Sequence, residues 1–222
     1  MIVETANYYE VIEKLPTNGV LTLYDIPWET YQDLLEAIGE NRGIRTAYNQ
    51  GVLQIMTVSS EHESYAEFMK RLVDRVSFYL RIKILFFGSM TMKKAKKRKG
   101  LEPDACFYVE RANLIGNKIH LDFSTDPTPD IAVEIDIHHE SLSKLPIYAA
   151  LEIPEVWVYD EQALTIYHRQ GDAYVEAESS LALPILTGKI LTDFLSRSKT
   201  ADQYEALLEF ENWLQSQKAT NR

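Results

Sequence analysis

The chain has 222 residues, 45% hydrophobic and 25% charged, the balance of a globular protein long enough to bury a sizeable core rather than of a disordered or fibrous chain. Its formal charge of -10 repels the phosphate backbone of nucleic acid at long range, but the charge is unevenly placed and alone decides nothing about such a partner. No apolar run is long enough for a membrane span, the acidic N-terminus lacks the basic region of a signal peptide, and the lone Cys106 can form neither an internal disulfide nor a cysteine-rich zinc site; the expectation is a reduced, cytoplasmic protein with no membrane partner.

Residues 1–42 read as a mainly helical cap, broken at Leu15-Pro16-Thr17-Asn18-Gly19, with a second helix after Pro27 whose Trp28, Tyr31, Leu34, Leu35 and Ile38 share one face. Residues 51–58 alternate as a strand after a turn at Asn49-Gln50-Gly51. Ser60 and Glu63 have the spacing of a capping box, which opens a long amphipathic helix with an apolar stripe from Tyr65 through Phe68, Leu72 and Val76 to Leu80. Strands are expected over 84–92, 104–109 and 130–137, and a short helix over 143–152 with Pro146 in its first turn. Strands at 156–159 and 164–168, an edge strand at 174–176 and closing helices at 191–195 and 204–214 complete the chain. This order describes an α/β (α+β) protein, a mixed central β-sheet flanked by helices, with 1–222 as one domain: a cap (1–42), a core (43–170) and a C-terminal edge strand with helices (171–222).

Lys93, Lys94, Lys96, Lys97, Arg98 and Lys99 place six positive charges in seven residues of this acidic chain. Such a run is either a solvated hairpin tip or a loop that contacts phosphates, a nucleic-acid-binding element. In the strand around Glu134, alternation puts Asp130, Ala132, Glu134 and Asp136 on one face and Ile131, Val133, Ile135 and Ile137 on the other. A carboxylate in mid-strand, in a central position of the sheet, must be paired, bind metal or hold a proton. Asp104, at the head of a neighbouring strand, offers a second oxygen ligand. Two carboxylates with waters suit Mg²⁺ or Mn²⁺.

Asn49-Gln50-Gly51-Val52-Leu53-Gln54-Ile55-Met56, Ser60-Glu61-His62-Glu63, Glu102-Pro103-Asp104-Ala105, Pro129-Asp130-Ile131-Ala132-Val133-Glu134-Ile135 and Lys144-Leu145-Pro146-Ile147-Tyr148 with Ile153-Pro154-Glu155-Val156-Trp157 follow one another in an order that resembles the Uma2 group of endonucleases. That group, also called domain of unknown function 820 and abundant in cyanobacteria, is similar to the PD-(D/E)xK nuclease superfamily. The resemblance implies a restriction-endonuclease-like core and metal-dependent hydrolysis of DNA by an endonuclease that works as a homodimer, with Asp104 and Glu134 as catalytic metal ligands. It also implies that an acidic residue or histidine of the long helix, Glu61, His62 or Glu67, lines the centre. For His62 the alternative is a packed residue in a capped first turn.

The chain departs from that pattern two residues after Glu134, where the superfamily has lysine and this sequence has Asp136. Asp136 adds negative charge where phosphate must approach, or serves as a further metal ligand. Lys144 is the candidate substitute, with a stem long enough to reach back across the strand end; the alternative is a surface lysine. One of His138 and His139, which follow the acidic strand, could reach the metal. Two further functional readings stay open: a catalytically weakened relative that binds nucleic acid or protein, and a hydrolase of small phosphate compounds.

Overall fold

The computed structural model describes residues 5–39, 43–137 and 144–220. In chain order the strands are β1 (Val20–Leu23), β2 (Ile44–Asn49), β3 (Val52–Thr57), β4 (Leu85–Phe87), β5 (Met92–Lys94), β6 (Lys99–Leu101), β7 (Ala105–Tyr108), β8 (Ile131–Ile135), β9 (Glu155–Tyr159), β10 (Leu164–Gln170) and β11 (Ala173–Ala177). The helices are α1 (Thr5–Ile12), α2 (Trp28–Ile38), α3 (Ser60–Leu80), α4 (Ala112–Ile115), α5 (Leu145–Leu151), α6 (Gly188–Thr200) and α7 (Gln203–Thr220).

The strands form two sheets rather than one. The first is antiparallel throughout, in the order β1-β3-β2-β6-β5. The second runs β11-β10-β9-β8-β7-β4 and is mixed, because β8 and β9 are parallel and the other neighbours antiparallel. A parallel pair needs a crossover, and α5 lies in the connection.

Alternation along β8 decides the layering. Ile131, Val133 and Ile135 point into a core with Phe107 and Trp157, roofed by α3, α6 and α7. Ala132 points the other way, into a second core with Ile147, Tyr148 and Leu151 of α5 and Ala47, Met92 and Leu101 of the first sheet. Helix α5 is thus wedged between the two sheets. A third core packs α2 against β2 and β3 through Trp28, Tyr31, Leu34, Tyr48, Leu53 and Ile55.

Four expectations change. The N-terminal segment is not purely a helical cap, since β1 pairs with β3 from Val20↔Met56 to Leu23↔Leu53. Residues 44–49 form β2, and Gln50 (φ 50°) with Gly51 (φ 103°) makes the two-residue turn into β3, both in the positive-φ region such tight hairpins require. The run 84–92 splits at Gly88-Ser89, with β4 in the second sheet and β5 in the first. Helix α3 is capped by Ser59, which accepts from the His62 backbone N–H at 3.2 Å, so Ser60 and Glu63 form no capping box. That last shift is minor in energy: a cap is worth about 1 kcal/mol, whereas each fully buried side chain of the stripe, such as Phe68, Leu72 or Val76, contributes about 1.5–3 kcal/mol. The stripe fixes the helix.

Candidate active site

Asp104 sits immediately before β7, where its backbone N–H donates to the Val133 carbonyl at 3.0 Å and holds it beside β8. Its Oδ2 accepts from the Ile135 N–H at 2.7 Å and lies 3.2 Å from His62 Nε2, while Oδ1 lies 3.4 Å from Arg45 Nε. Glu134, one pleat away on β8, faces α5. Its Oε2 accepts from Lys144 Nζ at 2.5 Å, and its Oε1 accepts from the Tyr148 hydroxyl. Lys144 caps the N-terminus of α5 and Tyr148 follows four residues later, so one turn brings both side chains to the same face.

These groups are withdrawn from solvent: Asp104 is 4% exposed, Glu134 2%, Arg45 3% and His62 9%. A cavity of about 50 Å³, room for a few water-sized groups, is lined by Arg45, His62, Asp104, Ile135, Asp136 and Lys144 together with residues of β1 and β3. The charges in it are unequal neighbours. Burial opposes the charged form of His62, but its hydrogen bond to Asp104 holds its pKa above the usual value. Burial likewise opposes ionisation of Asp104, and the His62 contact and Lys144 outweigh it, so the carboxyl stays low. Glu134 goes the other way. Burial pushes its carboxyl up to about 7, Lys144 opposes this, and Asp104 and Asp136 add to it. Burial disfavours the Lys144 ammonium, but the surrounding carboxylates hold its pKa above the ordinary lysine value, so Lys144 stays charged.

Among the expected site residues, the fold brings together Asp104, Glu134, Lys144 and His62. Lys144 reaches back across the strand end and is no free surface residue. Asp136 follows the end of β8, 3.9 Å from Lys144 Nζ and a quarter exposed. It lines the cavity with Asp104 and acts on the charge of Glu134, but no cluster of three or more His, Cys, Asp or Glu side chains able to hold a metal ion occurs among the described residues. Glu61 points outward, 3.5 Å from Lys199 Nζ, and Glu67 pairs on the surface with Lys70 at 2.7 Å. Neither lines the cavity. His138 and His139 lie outside the described residues. The run Lys93, Lys94, Lys96, Lys97, Arg98 and Lys99 spans the β5–β6 hairpin. Trp157 is packed wholly inside the core.

Two members of the site come from residues the sequence reading passes over. Arg45 lies on β2, its Nη2 2.6 Å from Glu63 Oε1 and its Nε facing Asp104. Tyr148 had a signal, its spacing of four from Lys144; Arg45, between Ile44 and Thr46, had none.

The donor chemistry fits a hard divalent cation. Mg²⁺ and Mn²⁺ keep several waters and take one or two carboxylates, the donors that Asp104 and Glu134 offer; a cage of three or more His, Cys, Asp or Glu side chains for any metal is not present among the described residues. The raised pKa of Glu134 marks a carboxylate whose negative charge is under-compensated where it stands.

No helix among the described residues is long and apolar enough to cross a membrane. No curated protein matches the chain. A solved structure described as a "putative nuclease belonging to DUF820 from Anabaena variabilis ATCC 29413" is similar with a TM-score of 0.49 at 16% identity, covering 77% of this chain and 99% of that one. The model of the Uma2 family, described as "Putative restriction endonuclease", matches residues 28–196, which span β2 to β11 and every residue of the site, and the chain belongs to that family.

Proposed function

We propose that this chain is a metal-dependent DNA endonuclease that hydrolyses phosphodiester bonds at the cavity lined by Arg45, His62, Asp104 and Lys144. The observation that carries the reading is the Lys144 ammonium lodged 2.5 Å from Glu134 and backed by Asp104, a carboxylate pair and a lysine brought together from three separate elements. Asp104 and Glu134 would hold Mg²⁺ or Mn²⁺, which when bound lowers the pKa of a coordinated water and offsets the charge developing on the phosphate.

The remaining work falls to the chain's own groups. Lys144 fills the chemical role vacated by Asp136: its ammonium, aimed into the cavity from α5, donates to the attacking water or to a phosphoryl oxygen. Asp136, close to Lys144 Nζ, helps keep that ammonium charged. Tyr148 donates to Glu134 and fixes its carboxylate plane. His62 and the Ile135 N–H hold Asp104 in its ionised form. Burial of the set excludes bulk water, which strengthens each of these contacts.

The test is nicking of supercoiled plasmid at low salt with Mg²⁺ or Mn²⁺. Wild type should nick, and Glu134→Gln and Lys144→Met should each lower the rate by about 10²-fold or more, the usual effect of removing one charged group from such a centre. Wild type that nicks nothing while retaining DNA would move the assignment to a nucleic-acid-binding relative.

A further inference from the structure

The β5–β6 hairpin carries its cations on a fixed frame. A 3₁₀ turn at Ala95–Lys97 closes it, and Arg98 follows with positive φ (48°). Lys94 Nζ is 3.0 Å from Glu152 Oε2 at one end of α5, and Lys99 Nζ donates to the Pro146 carbonyl at 3.0 Å near the other. The Gln50 N–H donates to the Arg98 carbonyl at 3.0 Å and ties the turn to the β2–β3 hairpin.

A solvated hairpin tip would spread its lysines. Here Lys93, Lys94, Lys96 and Lys97 all line one groove of about 560 Å³, together with Leu121, Phe123 and Trp28. That volume is within the roughly 300–1,000 Å³ of small-ligand sites. Of these lysines only Lys94 has an ion pair among the described residues; Lys93, Lys96 and Lys97 have none, and Asp122 is the one acidic residue lining the groove. Exposed ammoniums grouped beside Leu121 and Phe123 offer the complement of an anion with a flat apolar part. Helix α5 is about 10 Å long for its seven residues; Lys144 before it lines the site cavity, and Glu152 after it pairs with Lys94 of the groove.

We propose that the groove binds one nucleotide of single-stranded DNA, its phosphate against Lys93, Lys96 and Lys97 and its unstacked base against Phe123 and Leu121. The inference rests on the nuclease reading for its biological sense, since the strand it holds would be the substrate of the site at Asp104 and Glu134. Cations supply affinity without regard to sequence, and a base laid on an aromatic wall adds a term that paired duplex cannot supply.

The test is fluorescence anisotropy of a labelled oligonucleotide of about a dozen residues, single-stranded and then annealed, in EDTA so that cleavage plays no part, across a salt series. The Lys96→Gln/Lys97→Gln double variant should bind the single strand about tenfold or more weakly, with the slope of log affinity against log salt reduced by about 1.4, two phosphates at 0.7 each. Phe123→Ala should weaken single-strand binding by about 5- to 150-fold with little effect on duplex, and Phe123→Tyr should restore it. Circular dichroism checks that each variant is folded. Wild-type affinity and salt slope in both variants, or no single-strand binding by wild type, would overturn the proposal. The two readings fail separately: a protein that nicks plasmid but binds regardless of the groove loses only the groove, and one that binds through the groove but never nicks loses only the nuclease.

Discussion

Glu134 is a mid-strand carboxylate with a proton affinity near neutrality, and its surroundings say why. Lys144 and Tyr148 approach its two oxygens, yet Asp104 and Asp136 add negative charge on the same side, and water is excluded. Against an ordinary value of 4.5, a carboxyl raised to about 7 binds a proton more tightly in the folded than in the unfolded chain, so that proton stabilises the metal-free protein at low pH and its contribution is lost as pH rises towards 7. A divalent cation must displace the same proton. Apparent Mn²⁺ affinity should therefore rise about tenfold per unit up to pH about 7 and then level off, with about one proton released per ion below that point. Calorimetry in buffers of differing ionisation enthalpy reads both quantities; an affinity flat from pH 5.5 to 8 would remove Glu134 from the ligand set. Reactivity at Cys106 makes the opposite case. The thiol is fully buried and burial pushes its pKa up, so a thiol reagent should leave the folded protein unmodified and label it only on unfolding.

At the level of elements, the strand that opens the parallel pair has a hidden dependency. Glu155, the first residue of β9, is wholly buried and accepts from the Trp157 indole, from Leu181 N–H at 2.8 Å and from Ala182 N–H at 3.2 Å. One carboxylate thereby fastens the connection between β11 and α6 to the core sheet. Glu155→Ala leaves three donors unsatisfied, at about 1–3 kcal/mol each where no water reaches them. The variant should lose about 3 kcal/mol or more in urea unfolding, and Glu155→Gln, which keeps one acceptor, should lose less. Nothing in the sequence marks Glu155 as different from a solvated strand-end acid. The same limit explains β2: Ile44-Arg45-Thr46-Ala47-Tyr48 is buried on both faces, so no polar alternation betrays it, and Arg45 is tolerated only because Glu63 and Asp104 meet it from elsewhere in the chain. By contrast β8 was legible, because its alternation separates an apolar face from an acidic one, and α3 was legible from its stripe. The split of 84–92 between two sheets was not, since both halves have strand character and only the pairing partners differ.

The whole molecule is two sheets joined at one seam, and the candidate site lies in that seam. Arg45 comes from the first sheet, Asp104 and Glu134 from the second, His62 from the helix roofing the second, and Lys144 from the helix wedged between them. In the unfolded chain these residues are spread over a hundred positions, so a cation that they hold together binds the native state alone and must stabilise it by mass action. At about a hundred times its dissociation constant it adds about 2.7 kcal/mol. For a chain in the 150–250-residue class each kcal/mol raises Tm by roughly 2–4 °C, so Mn²⁺ should raise Tm by about 5–10 °C. The rival explanation is diffuse binding to the surface of a protein with 33 acidic residues, which would raise Tm without regard to the seam. Asp104→Asn separates the two: it removes one charge in 33 and so leaves diffuse binding almost unchanged, but it takes the carboxylate that bridges β7, β8 and α3 out of the ligand set. Loss of the Mn²⁺-induced shift in Asp104→Asn, with the metal-free Tm measured alongside, assigns the cation to the seam; a shift of unchanged size in that variant assigns it to the surface.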